Sequence, residues 1–205
     1  MKPENRILFH SRDEAIAMGY RACKTCKPDR EISEPEILYR SVYASPIGVY
    51  TIISSAKGIV SVASPVTTPN RIERLEKRRV KYRDGGELNE ALSSELDAYF
   101  AGKLIGFTLP LDIRGTLFQL RVWNELCRIP YGETSTYGKI AAAIVNAKAS
   151  RAVGHAIGNN PIAIIVPCHR VIGSDGGLTG YASGLERKRF LLNLEAKAAG
   201  KHDNW

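Results

Sequence analysis

The chain has 205 residues, of which 44% are hydrophobic, and 29 Lys and Arg against 21 Asp and Glu give a formal net charge of +8 at pH 7. This composition excludes a disordered chain, predicts two modest hydrophobic cores, and favours a polyanionic partner. The sequence has neither an apolar run of about 18 residues nor a secretory signal pattern, and it has only four cysteines. It therefore predicts no membrane contact, no disulfide framework, and an intracellular, cytoplasmic location.

The first half of the chain predicts a small α/β domain over residues 36–112. Residues 37–43, 48–54 and 58–63 alternate apolar and polar side chains between turns, which is typical of a β-meander. Residues 87–102 predict an amphipathic helix, in which one face carries the four apolar residues Leu88, Leu92, Leu96 and Tyr99. The charged segment 71–83 favours a solvated helix or loop over a binding patch, although its basic residues could contact phosphates. We identify no catalytic group in this domain.

Residues 135–145 and 148–159 predict two helices that are separated by a short turn at Asn146-Ala147, which is the pattern of a helix-turn-helix. The second helix is rich in small residues that would let its backbone approach a groove closely: Ala149, Ala152, Gly154, Ala156 and Gly158.

The apolar run at residues 161–167 reads as a strand that ends at Cys168 and His169. A thiol in this setting is either a nucleophile or a core residue, and this segment alone favours neither. Successive side chains of a strand point to opposite faces, so the two side chains could touch only if the backbone turns there or a water bridges them. A thiol in apolar surroundings also needs a base to remove its proton.

Residues 184–195 read as a helix in which Glu195 shares a face with Leu191 and Leu192. A carboxylate on an apolar face can act as a base or can orient one. The alternative, a surface glutamate near the chain end, is favoured by the general exposure of Glu.

These residues belong to a series of motifs in residues 114–195 that closely resembles the catalytic domain of O6-alkylguanine-DNA alkyltransferases, also called methylated-DNA-protein-cysteine methyltransferases. The resemblance implies an α/β amino-terminal domain with a small β-meander plus helices, followed by a mostly helical, winged helix-turn-helix-like catalytic domain at residues 114–200. The matching motifs are Phe118-Gln119, Val122-Trp123, Ile129-Pro130-Tyr131-Gly132-Glu133-Thr134, Tyr137-Gly138, Arg151-Ala152-Val153-Gly154, Asn160-Pro161, Pro167-Cys168-His169-Arg170-Val171 and Gly184-Leu185.

The resemblance also implies a reaction, namely irreversible, single-turnover DNA repair. Cys168 would accept the alkyl group from O6-alkylguanine, or from O4-alkylthymine. His169 and Glu195 would draw off the thiol proton through a water, and Tyr137 would donate a proton toward the guanine. The partner implied is double-stranded DNA with the damaged base flipped out, and we expect a monomer with no cofactor.

Binding roles follow by the same match. Arg151 would fill the space of the flipped nucleotide. The other DNA-binding residues implied by the match are Ser150, Gly154 and Asn160. Of these, Asn160 would also form a hinge between the second helix and the cysteine segment. The loop at 178–183 would form the wall of the base pocket, and Lys188 would support it. The pocket residues are Leu178, Gly180, Tyr181, Ala182, Ser183 and Lys188. Ala163 and Ala182 depart from the family pattern, which leaves the range of alkyl groups open.

Residues 1–30 resemble the end of the zinc-binding amino-terminal domain of the Ada protein. Only its second cysteine pair, Cys23 and Cys26, is present, so we expect a truncated remnant. Structural zinc takes four N or S ligands, so even with His10 this pair would be an incomplete zinc site. A working zinc site is the less favoured alternative.

Three other classes of protein are weighed against the alkyltransferase. A non-enzymatic lesion-binding protein of the alkyltransferase-like type would lack the acceptor, which Cys168 argues against. A methylation-responsive transcription factor would need the complete cysteine set of Ada. A cysteine hydrolase would need an oxyanion hole that no motif specifies.

Overall fold

The structure is a computed structural model that describes residues 35–76, 80–144 and 149–201. The cysteine pair at 23 and 26 and the turn at 146–147 lie outside these residues. Within the described part, no helix has both the length and the apolar character needed to cross a membrane.

The amino-terminal sheet has four strands in the order β3-β2-β1-β4. Strands β1 (Glu36–Ser45), β2 (Gly48–Ser55) and β3 (Gly58–Ala63) form an antiparallel meander, as the alternating pattern predicts. Helix α1 (Thr68–Glu76) then leads to β4 (Val80–Asp84), which pairs parallel to β1.

The expectation of a solvated helix or loop over 71–83 is wrong for its second part, which is strand β4. Its first part is helical but not wholly solvated, because Leu75 is buried against Leu38, Ile53 and Val60 of the sheet. The charged residues of β4 masked its pattern, because only Val80 and Tyr82 are half-buried and the other three residues are charged and exposed.

Helix α2 (Glu87–Phe100) packs against the sheet through Leu92, Leu96 and Tyr99, which are each at most 1% exposed. This confirms the predicted amphipathic helix. The chain then runs beside β3, where the Ile59 N–H donates to the Pro110 carbonyl at 2.9 Å.

The second half is mostly helical, as expected. It contains α3 (Leu117–Leu126), α4 (Tyr137–Ile144), α5 (Ser150–Gly158) and α6 (Leu185–Ala198). A two-stranded parallel sheet joins β5 (Ser135–Thr136) to β6 (Val171–Ile172). Helix α3 begins at a capping box of Thr116 and Gln119, and the Trp123 indole on α3 donates to the Ala156 carbonyl on α5 at 2.9 Å. The indole hydrogen bond joins α3 to α5.

The run before Cys168 is not a strand, which corrects the sequence expectation. Only an isolated bridge joins Ile162 to Val62 of β3. The chain then turns, with Ile164 at a φ of +73°, and enters a short 3₁₀ helix at Cys168–Arg170. A left-handed β-branched residue is strained. Periodicity could not reveal this turn, because a fully buried run has no polar face to mark its geometry.

Candidate active site

Cys168 is held at the start of the 3₁₀ helix, with its side chain buried and 7% of the residue exposed. The Asn160 amide nitrogen donates to Cys168 Sγ at 3.0 Å and to the Val166 carbonyl at 2.7 Å, and its amide oxygen accepts from Ile162 N–H at 3.0 Å. Burial raises the pKa of the thiol, against the opposing effects of Asn160 and of the charges of Arg71 and Lys188. The thiol is therefore protonated at rest.

His169 is fully buried and lies 2.8 Å through Nε2 from Glu195 Oε1. Burial lowers the pKa of the imidazole and outweighs Glu195, which raises it. The resting ring is therefore neutral. Because Nε2 faces a carboxylate it carries the proton, which leaves Nδ1 as the acceptor. Nδ1 is buried and has no hydrogen-bond partner among the described residues, so its lone pair is available to take a proton.

Glu195 lies at the centre of a buried network rather than on the surface, so the alternative of an exposed glutamate is wrong. Arg170 donates to it twice, from Nε at 2.8 Å and from Nη2 at 3.0 Å. Tyr99 O–H donates at 2.7 Å and Gly132 N–H at 3.1 Å. Burial would raise the pKa of Glu195, but His169 and Arg170 together hold it well below its usual range. The carboxylate is therefore ionised.

Sequence reasoning assigned no role to Arg170 or Tyr99. Arg170 stands in a motif that we quoted, and its place beside His169 was a usable signal. Tyr99 was predicted only as a core residue of an amphipathic helix. Its contact with Glu195 spans 96 residues, and no local pattern marks it. The α/β domain, in which the sequence identifies no catalytic group, thus supplies a hydrogen bond to the site through Tyr99.

Tyr137 and Lys188 hold the pocket loop from two sides. The Tyr137 hydroxyl lies 3.2 Å from the carbonyls of both Thr179 and Gly180, and burial raises its pKa. Lys188 Nζ donates to the Val171 and Thr179 carbonyls at 2.6 and 2.7 Å. The ammonium is fully buried, and burial lowers its pKa to about 8.

A cleft opens over the thiol and takes its lining from both domains. The loop residues Gly180, Tyr181, Ala182 and Ser183 line it as expected, whereas Leu178 and Lys188 are not among its lining residues. The Tyr181 hydroxyl is buried close to Cys168, and burial raises its pKa well above the ordinary value. The Ser183 hydroxyl accepts from Ser64 at 3.0 Å. The remaining lining residues are Thr67, Arg71, Ile157, Gly158, Asn160, Ala163 and Cys168.

The residues predicted to bind DNA divide into two groups. Arg151 is exposed on α5, and Ser150 is half-buried at the start of that helix. A Cβ added at Gly154 would meet the Tyr137 ring at 3.6 Å, an ordinary contact, so packing does not require glycine there. Asn160 is only 4% exposed and binds the thiol. We therefore reassign its side chain from the DNA-contacting group to the cysteine site.

The described residues contain no group of three or more His, Cys, Asp or Glu side chains arranged to hold a metal ion. The chemistry of the site rests on one thiol, one neutral imidazole and one ionised carboxylate. Fold and site together define a protein with a buried thiol and an adjacent imidazole–carboxylate pair beside a packed pair of helices.

Comparisons with known proteins agree with this class. Residues 117–197 match the family model for the DNA binding domain of 6-O-methylguanine DNA methyltransferase, and residues 38–113 match the model for its ribonuclease-like domain. Residues 1–29 match the metal binding domain of Ada.

This chain covers nearly the whole length of individual relatives. The methylated-DNA–protein-cysteine methyltransferase of Methanosarcina acetivorans is 49% identical over 160 residues, which are 77% of this chain and 98% of that protein. The crystal structure of the Mycobacterium tuberculosis O6-methylguanine methyltransferase is 44% identical with a TM-score of 0.69, covering 78% of this chain and 94% of that one. The same enzyme in complex with DNA also has a TM-score of 0.69, with coverage of 79% and 94%. This chain belongs to the methylated-DNA–protein-cysteine methyltransferase family.

Proposed function

We propose that this chain repairs DNA by moving the alkyl group of O6-alkylguanine, and of O4-alkylthymine as a second substrate, to Cys168. The observation that carries the proposal is the geometry of the site. The Cys168 thiol lines a cleft, and the neighbouring His169 is held through Nε2 at 2.8 Å from Glu195 Oε1 while its buried Nδ1 has no hydrogen-bond partner among the described residues. The directions of the pKa shifts agree with a protonated thiol beside a neutral imidazole.

The proposed reaction is a displacement at the alkyl carbon. The Cys168 proton passes through a water to His169 Nδ1, and the resulting imidazolium is stabilised by Glu195. The thiolate forms a bond to carbon while the bond from carbon to guanine O6 breaks, and Tyr137 gives a proton to the departing base so that it leaves neutral. A thioether is a poor leaving group, so each chain reacts once.

DNA recognition is assigned to helix α5. Its glycine at 154 costs about 1 kcal/mol relative to alanine in a helix interior, and packing inside the protein does not require it. A close approach of the helix backbone to a DNA groove would explain it. Arg151 lies seven residues, about 10 Å of helix, before Gly158 at the cleft, where it can replace a base flipped out toward Cys168.

Intact-mass analysis tests the proposal directly. The protein is incubated with duplex DNA that holds one O6-methylguanine, and we expect a gain of one methylene that maps to the Cys168 peptide. Cys127→Ser is the matched control, since Cys127 is an exposed thiol elsewhere on the chain, and it should gain the same mass, whereas Cys168→Ser should gain none. Binding without a mass change would support a lesion-binding protein instead.

The proposed reaction also bears on the need for a cofactor. The proton path uses only side chains and water, so the guanine reaction needs no metal. We also predict that the protein acts on double-stranded DNA as a monomer and that it is located inside the cell.

A further inference from the structure

We propose that Tyr99, contributed by the α/β domain, is a positioning residue for alkyl transfer: its hydroxyl binds Glu195 and limits how much of the carboxylate's charge reaches His169. This inference rests on the proposed function of the Cys168 site and adds a control on its base.

Three donors share one carboxylate oxygen. Glu195 Oε1 accepts from Tyr99 O–H at 2.7 Å, from His169 Nε2–H at 2.8 Å and from Arg170 Nη2–H at 3.0 Å. Each carboxylate oxygen offers about two lone-pair directions, so the donors compete for its charge. Oε2 is occupied separately by Arg170 Nε and Gly132 N–H. The strength of the bond to His169 therefore depends on Tyr99.

The position of the Tyr99 hydroxyl is fixed by its ring. Tyr99 is 1% exposed, and its ring contacts those of Phe100, Phe107 and Tyr131 at centroid distances of 5.5, 5.4 and 6.0 Å. Burial raises the pKa of the phenol well above its ordinary value, and Glu195 raises it further. The hydroxyl is therefore a permanent donor that a substitution can remove without a competing change of charge.

Other charged and titratable groups face this network from the 3₁₀ helix, from the loop after α3 and from α6. Around Glu195 these are His169 and Arg170 from the 3₁₀ helix and Tyr131 from the loop after α3. Around His169 the further cations are Arg170 and Lys188, which both lower the pKa of the imidazole. Tyr99 is the contribution from α2, and it acts on His169 through Glu195.

Removal of the hydroxyl has a predictable sign. With one donor fewer, Glu195 Oε1 becomes a stronger acceptor for His169 Nε2–H, which stabilises the imidazolium and raises the pKa of His169. An imidazole that is already protonated cannot take the thiol proton. The fall in transfer rate at low pH should therefore move to higher pH, by about 0.5–1 unit for the loss of one hydrogen bond to a charged group.

The test compares Tyr99→Phe with Tyr43→Phe. Tyr43 is also a buried tyrosine of the α/β domain whose hydroxyl donates to a carboxylate, Asp97, at 2.8 Å, but this carboxylate is not part of the site. Single-turnover methyl transfer is measured across pH with the wild-type protein in parallel. We expect the low-pH midpoint to rise in Tyr99→Phe and to stay at the wild-type value in Tyr43→Phe. A Tyr99→Phe profile that keeps the wild-type midpoint, at any overall rate, would overturn the proposal.

A second substitution covers the case in which Tyr99→Phe does not fold. 3-Fluorotyrosine at position 99 keeps the ring and makes the hydroxyl a stronger donor, so the midpoint should move to lower pH. An NMR titration of the His169 ring measures the pKa of His169 directly in unreacted protein. In the fluorotyrosine protein, a midpoint that stays at the wild-type value or moves to higher pH would refute the role of Tyr99. A wild-type protein whose Cys168 gains no methylene would instead refute the proposed function.

Discussion

At the scale of single residues, the site keeps its nucleophile inactive until a substrate arrives. Burial raises the pKa of Cys168 and lowers that of His169, so the resting pair is uncharged. Glu195 and Arg170 form a charged pair that is joined by two hydrogen bonds. In the proposed reaction, the thiolate–imidazolium pair forms only when the proton leaves Cys168.

The relay predicts non-additive effects of substitution. Glu195→Gln and His169→Ala should each slow methyl transfer by about 10²–10⁴-fold, the usual contribution of a positioned acid–base group. The double variant should be little slower than either single one, since the two groups act as a unit. Rates come from single-turnover transfer with protein in excess. Losses that multiply would mean that Glu195 serves only the packing of α6.

Glu195 also predicts how stability depends on pH. Its pKa is far lower in the folded chain than the ordinary value of about 4.3, so it stabilises the fold above that value and the contribution is lost as the pH falls below it. The pKa of His169 is also lower in the folded chain than in the unfolded one. Its contribution to stability is therefore lost as the pH falls below the ordinary value of about 6.5.

Urea denaturation at several pH values separates the two groups. Between about pH 5 and pH 3 the wild-type protein should lose more stability than Glu195→Gln, because the Gln side chain cannot titrate. At pH 7 the variant should be the less stable by about 3–5 kcal/mol, since Arg170 is left buried without its partner. Parallel pH curves for the two proteins would contradict the assignment of an ionised Glu195.

The roles of Cys168, His169 and Glu195 come from the family resemblance, which motifs such as Pro167-Cys168-His169-Arg170-Val171 carry. Residue type and spacing alone leave Cys168 undecided between a nucleophile and a core residue, and they favour a surface position for Glu195. Arg170 stands in the same motif, but without a structure its guanidinium had no identified partner. The resemblance implies that Asn160 is a hinge between the second helix and the cysteine segment. Its amide bonds backbone groups of that segment and also the thiol, which the sequence does not indicate.

At the scale of elements, sequence patterns and turn residues predicted the meander, α2, α4, α5 and α6. They failed at two segments. The run before Cys168 is buried on all sides and turns instead of extending. Strand β4 is an edge strand with exposed charges, and its pairing with β1 depends on residues about 40 positions away.

Helix α5 carries the prediction for base flipping. Arg151→Ala should slow repair of duplex DNA much more than reaction with free O6-benzylguanine, because only the duplex needs its base unstacked at a cost of about a few kcal/mol. Arg128→Ala is the matched control, since Arg128 is also an exposed arginine, with a side chain 70% exposed. It should affect the two substrates alike. Equal slowing of both substrates by Arg151→Ala would place that residue in the pocket instead.

At the scale of the whole molecule, the α/β domain forms the rear of the catalytic site. Strand β3 binds the cysteine segment, with Val62 N–H donating to the Pro161 carbonyl and Ala163 N–H donating to the Val62 carbonyl, both at 3.0 Å. Ser64 reaches the pocket loop and Tyr99 reaches Glu195. These contacts join residues about 100 positions apart, so the separate patterns of the two domains could not predict them.

The amino-terminal segment provides the last prediction. Residues 1–29 match the metal binding domain of Ada, but Cys23 and Cys26 supply only two of the four ligands of a structural zinc. All lining residues of the described cleft fall between positions 67 and 183. We therefore expect purified protein to hold well under one zinc per chain, and deletion of residues 1–30 to leave the single-turnover rate of guanine repair unchanged. Elemental analysis and methyl-transfer kinetics measure the two quantities on the same samples, with Cys127→Ser as the control for loss of an unrelated thiol. One zinc per chain that disappears in Cys23→Ser would show a working metal site, and a slower reaction in the deletion variant would show that the segment contributes to repair of guanine.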